Sequence, residues 1–246
     1  MTRSRIIARP FCVVADRIPA SVKGEVASRL GLSVASVAGT VAPLGAEALL
    51  LSDISGETLE QALRQPFTGY VELDGDNDTV DDGVLAALAT QCFYLSLTTA
   101  TAMGMRSAVL VCDALHERGV LSKARRPNIE LCLHEAVANA LVHGNLGVPS
   151  SVKAQPEGYK LFSQLIHDRL EDAAARRRRV EIFARWDDES LVLGVADQGG
   201  GFDLACLPAK NDENAPSGRG FLFMRELTTS VNVTDGGRCT SMCFPV

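Results

Sequence analysis

The chain has 246 residues, 46 % of them hydrophobic and 22 % charged, and a net charge of −6. This is the composition of a globular protein of one or two domains; it excludes a disordered or fibrous chain, and the acidic balance speaks against direct nucleic-acid binding, which takes a basic face. Seven cysteines without a CxxC pair, no apolar leader and no apolar run near the roughly 20 residues that cross a bilayer predict reduced thiols, no membrane contact and a cytoplasmic location.

In the first hundred residues, strand-like runs "FCVVAD", "EALLLSD" and "GYVELD" alternate with the helical stretches "ASVKGEVASRL", "ETLEQALRQ" and "VDDGVLAALATQ". That alternation predicts βαβ units and a mostly parallel sheet, an α/β domain over residues 1–102. A boundary is expected within "LSLTTATAMGM", so that a second domain covers residues 103–246.

From Met105 to Arg118 apolar residues recur at helical spacing, and Gly119 is placed to cap the end. Pro127 opens a second helix that Gly144 closes. It contains "ELCLHEAVANALVHGN", which has the apolar spacing of a buried helix yet sets Glu135, Asn139 and His143 at intervals of four. Side chains four apart share a helix face, so this stripe is turned toward something other than core. "YKLFSQLIHDRLEDAAARRRR" reads as one further amphipathic helix, and its run Arg176 to Arg179 as a solvated face or a patch for an acidic partner. "VEIFARW" and "LVLGVAD" alternate with period two around "DDES", and "SVNVTDGGRCTSMCF" forms a second hairpin around Asp235, Gly236 and Gly237. Helices on one face of such a sheet make an α+β sandwich.

Two glycine-containing stretches complete the candidate site. In "ADQGGGFD", Asp197 ends a strand and Gly199 to Gly201 follow, a loop whose backbone can reach positive φ and admit a close approach. In "SGRGFLFMREL", Gly218, Arg219 and Gly220 lead into an apolar helix, whose first amides and positive dipole end suit an anion.

Together these stretches resemble the GHKL (Bergerat-fold) ATPase superfamily, most closely its anti-sigma factor serine/threonine-protein kinase branch. "HEAVANALVHGN" is similar to the family's N box, "DQGGGF" to its first glycine box and "SGRGFLFMREL" to its second. The resemblance covers about residues 103–246. It implies a histidine kinase-like ATPase sandwich, helices on a mixed, mostly antiparallel sheet, with ATP and Mg²⁺ as cofactors. It assigns Glu135 as general base, Asn139 as the Mg²⁺ ligand and Asp197 as acceptor of the adenine amino group. Gly199 and Gly201 would admit base and ribose, and Gly218, Arg219 and Gly220 would hold the phosphates. His143 joins the cofactor-binding set, with a capping or packing role as its alternative; Asn145 reaches a phosphate or caps the turn. A sigma factor and an anti-anti-sigma protein are the implied partners, and a homodimer the implied state. A nucleotide-gated binding protein with little kinase activity and a histidine-kinase-like signalling protein are the alternatives. "AEALLLSDIS" and "FCVVADR" are similar to strands of a response-regulator receiver domain, with Asp53 and Asp16 at their ends, so the first domain would be regulatory and degenerate: one acid stands where receivers show a pair, and "YLSLTT" lacks their lysine.

Overall fold

The structure is a computed structural model that describes residues 12–15, 20–30, 33–35, 48–51, 54–65, 67–73, 82–202 and 219–245. Asp16, Asp53 and Gly218 lie outside the described residues, as does the side chain of Arg219.

The first half runs β1 (Cys12–Ala15), α1 (Ala20–Leu30), β2 (Ser33–Ala35), β3 (Ala48–Leu51), α2 (Gly56–Leu63), β4 (Gly69–Glu72), α3 (Asp82–Thr90) and β5 (Phe93–Thr98). The second runs α4 (Thr99–Met103), α5 (Ser107–Glu117), α6 (Arg126–Ala138), α7 (Gly158–Leu170), α8 (Ala173–Arg177), β6 (Arg179–Trp186), β7 (Ser190–Asp197), α9 (Arg219–Leu227), β8 (Ser230–Thr234) and β9 (Cys239–Pro245). Among the described residues the strands join in one sheet, ordered β2-β1-β3-β4-β5-β6-β7-β9-β8. β1 to β5 are parallel, as the βαβ alternation predicts, and β5 to β9 are paired antiparallel. β5 is therefore parallel to one neighbour and antiparallel to the other, and the expected boundary at 102/103 falls within α4.

Local chemistry explains the elements that shape the site. In β6, Val180, Ile182 and Ala184 are buried and the residues between them are not, so the period-two pattern becomes the sheet's inner face. Pro127 sits in the first turn of α6, where a missing N–H costs nothing, and Ile129, Cys132, Leu133, Ala136 and Val137 are buried. The apolar core is continuous across both halves: Leu59, Phe67, Tyr70 and Phe93 pack in the same cluster as Leu115, Leu133 and Ile182. Arg118 at the end of α5 reaches into the first half, donating to the carbonyls of Gln65 (3.3 Å) and Phe67 (2.8 Å) and to the Tyr70 hydroxyl (2.5 Å). Burial pushes the Tyr70 phenol up to about 12 even against that guanidinium.

Three expectations are corrected. The long helix after Pro156 is two helices: Asp172 accepts the Ala174 N–H at 2.9 Å and caps α8 anew. Arg178 and Arg179 are not a solvated face; both are half-buried and hydrogen-bonded, and Arg179 opens β6. Finally, α6 does not run regularly to Gly144, since from Asn139 to Asn145 the chain turns as a π-helix.

Candidate functional site

Glu135 on α6 and Asn139, the residue that follows its end and opens the π turn, stand one turn apart, half-buried, on the flank that faces away from the core cluster. The π turn then changes the register. His143 lies within this i to i+5 turn and is engaged locally. Its Nδ1 lies 2.5 Å from the Val148 carbonyl and its ring stands 6.1 Å from that of Phe162 on α7. Burial first, and Lys153 as a minor cause, hold its pKa below the ordinary histidine value against the Val148 carbonyl. His134 points the other way, into a groove of about 630 Å³ between α4, α5 and α6 that Met103, Met105 and Leu131 also line. Neither Glu135, Asn139 nor Asp197 lines that groove.

Asp197 ends β7, half-buried, directly under the π turn. A Cβ on Gly144 would stand 2.4 Å from the Asp197 carboxylate, so only glycine lets the turn and the carboxylate meet. One carboxylate oxygen, Oδ1, accepts the Gly199 N–H at 2.8 Å. Burial nevertheless pushes the Asp197 pKa up to about 6, the Gly199 N–H and Arg238 opposing it. The other oxygen has no protein donor among the described residues.

The glycines of this loop do different things. A Cβ on Gly199 would lie 2.1 Å from the Gly144 carbonyl oxygen, and one on Gly201 2.1 Å from that of Gly236. Their close approaches are to protein backbone, and Gly201 also needs its φ of +73°. Gly200, which the sequence does not distinguish, faces open space.

On the other side of α6, α9 begins at Arg219 and its second residue, Gly220, packs on Glu135: a Cβ there would lie 2.1 Å from Oε2. The Glu135 carboxylate thus sits beside the N-terminal turn of α9, where helix amides favour negative charge. No group of three or more His, Cys, Asp or Glu that could hold a metal exists among the described residues. A cation here would be held by a neutral amide such as Asn139 together with its ligand's own oxygens.

The sequence offers Asn145 for a phosphate or a turn cap and passes over Gln198; in the structure both support the site instead. Asn145 is fully buried and hydrogen-bonded on every side-chain atom, and Gln198 is clamped between Asn145 and Arg179. Their signal in the sequence was only adjacency: Asn145 follows Gly144, and Gln198 follows Asp197.

Among the described residues no helix is long and apolar enough to cross a membrane. No curated protein matches the chain. The histidine kinase-like ATPase domain family matches residues 98–244, more than half of the sequence, with the α6 stripe, the Asp197 loop and α9 all inside the match. The match takes in the antiparallel strands β6 to β9 and helices α5, α6 and α9, and the chain belongs to the histidine kinase-like ATPase domain family of GHKL type.

Proposed function

We propose that this protein is an ATP- and Mg²⁺-dependent serine/threonine-protein kinase of the anti-sigma factor type. It would bind a sigma factor and phosphorylate an anti-anti-sigma protein, acting in the cytoplasm as a homodimer.

The observation that carries this reading is the placement of two glycine contacts along one helix. Gly144 packs on Asp197 and Gly220 packs on Glu135. Nine helical steps, the last of them within the π turn, separate Glu135 from Gly144, at most about 13 Å at the α-helical rise of 1.5 Å per residue. That is the scale of an extended nucleotide, base at the Asp197 end and terminal phosphate at the Glu135 end. The residues fit such a guest: a carboxylate with one oxygen lacking a donor among the described residues meets an exocyclic amine, the neutral Asn139 amide suits a hard cation, and the α9 amides suit phosphate. Bound Mg-ATP would supply the phosphoryl group and the charge neutralisation.

The chain's own residues do the rest. Asp197 would accept from adenine, Asn139 would offer its amide oxygen to the metal, and Gly220 at the start of α9 would line the phosphate end, where the family resemblance also assigns Gly218 and Arg219. Glu135 takes the proton of an acceptor hydroxyl as the oxygen attacks, a role in which positioning contributes most of the acceleration. His116, in the last turn of α5, has its Nδ1 2.6 Å from the Leu121 carbonyl and is tied into the end of that helix. Residues 1–102 are a receiver-like regulatory part in this reading, supported by the order 2-1-3-4-5 of its parallel strands, the order of flavodoxin-like doubly wound sheets.

The test is transfer of labelled γ-phosphate from Mg-ATP by the native chain and by Glu135→Gln, with and without extract of the source cell. Acid-stable label on a second protein, lost by at least a hundredfold in the variant, is expected. Acid-labile label on the chain itself would mean histidine phosphorylation. Tight ATP binding with no label on any protein would mean a nucleotide-gated binder.

A further inference from the structure

The strongest unassigned feature is a buried polar hub at the last residue of the π turn. Asn145 is 0 % exposed. Its Nδ2 donates to Thr99 Oγ1 at 2.9 Å and to the Arg179 carbonyl at 2.9 Å, and its Oδ1 accepts the Gln198 N–H at 2.8 Å. Its own carbonyl accepts from the Arg178 guanidinium. An amide offers two donors and one oxygen, and here all are used by groups on α4, β6 and the end of β7. Gln198 is in turn fixed from its other side, its Oε1 accepting the Arg179 N–H at 2.8 Å.

Gln198 is the middle residue of the turn whose two ends are Asp197 and Gly199. The turn meets the chain before Asn145 at Gly144, with no room for a Cβ on either glycine. Packing at Gly144 and Gly199 sets how close the turn lies, but a glycine contact has no direction. The Asn145 hydrogen bond to Gln198 supplies that direction. It is the only side chain among the described residues that bonds the Gln198 backbone, and so it fixes the angle at which the Asp197 carboxylate is presented.

We propose that Asn145 is a positioning residue for base recognition: it does not touch the nucleotide, and it sets the Asp197–Gly199 turn so that the carboxylate selects adenine over guanine. This rests on Asp197 meeting the base. Adenine offers a donor at the 6-position where guanine offers an acceptor, so a well-aimed carboxylate discriminates between them and a misaimed one does not. Asparagine is required because aspartate has no N–H for the Arg179 carbonyl or for Thr99 Oγ1, so both donor bonds of the hub are lost with it.

The experiment measures affinities for ADP and GDP on the full chain by calorimetry, in the native protein and in Asn145→Asp, Thr99→Val and Asp197→Asn, each checked for folding by thermal melting. Asn145→Asp is expected to lower the preference for ADP at least tenfold while leaving GDP affinity, which rests on the phosphates, close to native. Thr99→Val keeps the shape and deletes one acceptor of the Asn145 amide, so it is expected to lose about threefold and carries the test if Asn145→Asp does not fold. Without ligand, amide exchange at Gln198 is expected to speed up in both. A native ADP preference and native Gln198 exchange in the two hub variants, with the preference lost in Asp197→Asn, would overturn the positioning role and leave the nucleotide site standing. An unchanged preference in Asp197→Asn would overturn the assignment of Asp197 to the base, and the inference with it.

Discussion

Asp197 is where pH should act most directly on nucleotide binding. Burial holds its pKa at about 6 in the free protein, so near pH 6 the carboxyl is half protonated. A donor that bonds the ionised form on binding returns the group toward the ordinary carboxylate value of about 4. Linkage then requires release of about half a proton per site near pH 6 and almost none near pH 8. The same relation weakens binding about tenfold between pH 7.5 and pH 5 through this group alone. Titration of ADP by calorimetry in two buffers of different ionisation enthalpy reads the released protons. Asp197→Asn cannot titrate there, so subtracting its value removes the protons of the phosphates and of every other group. Equal proton release by native and variant protein near pH 6 would show that Asp197 does not meet the donor. In the ligand-free protein the sign is opposite. A folded pKa above the unfolded one gives a contribution to stability that is full below about pH 4 and is lost as pH rises through about 6.

Further perturbations separate the roles of the other residues. Asn139→Ala is expected to remove the Mg²⁺ dependence of ATP affinity, at least tenfold, and undiminished Mg²⁺-dependent binding by calorimetry would rule out the amide as a metal ligand. Gly220→Ala drives a methyl into Glu135 Oε2, so phosphotransfer should fall by at least tenfold while the melting temperature stays near native; an unaffected rate would place the working position of Glu135 elsewhere. Gly194→Ala puts a Cβ 2.1 Å from the Phe183 ring across the β6–β7 pair, an overpacking expected to destabilise by about 1–3 kcal/mol in urea unfolding, with no effect on nucleotide preference.

What could be read in the sequence was whatever acts over a few residues. The alternation of β6 is visible because each buried residue's neighbour is two positions away. The pairing of Glu135 with Asn139 is visible for the same reason, through helical spacing. The hub escaped because its bonds are long-range: Asn145 reaches Thr99 over 46 positions, and Arg179 reaches the Glu72 carbonyl over 107. Composition even misled there, since four consecutive arginines resemble a solvated face until Arg178 and Arg179 find acceptors among buried groups. His143 shows a subtler limit. Helical spacing groups it with Glu135 and Asn139, and neither the π turn it sits in nor its approach to the Val148 carbonyl has a pattern in the residues. β2, with three residues, is too short for any period to show.

The way β5 serves two partners has a practical consequence. The family match begins at residue 98, the last residue of β5. A chain trimmed to the match would discard that strand and strip the neighbour of β6, whose pairing with β5 runs from Arg179 to Ala184. The eight-residue β6, rich in Val, Ile and Phe, would become a raw sheet margin with its amides and carbonyls bare, and such margins recruit other chains. The excised ATPase part would then clump or pair for reasons unrelated to its biology, and the first half of this protein acts, whatever else it does, as the selvedge that keeps the second from unravelling onto its neighbours.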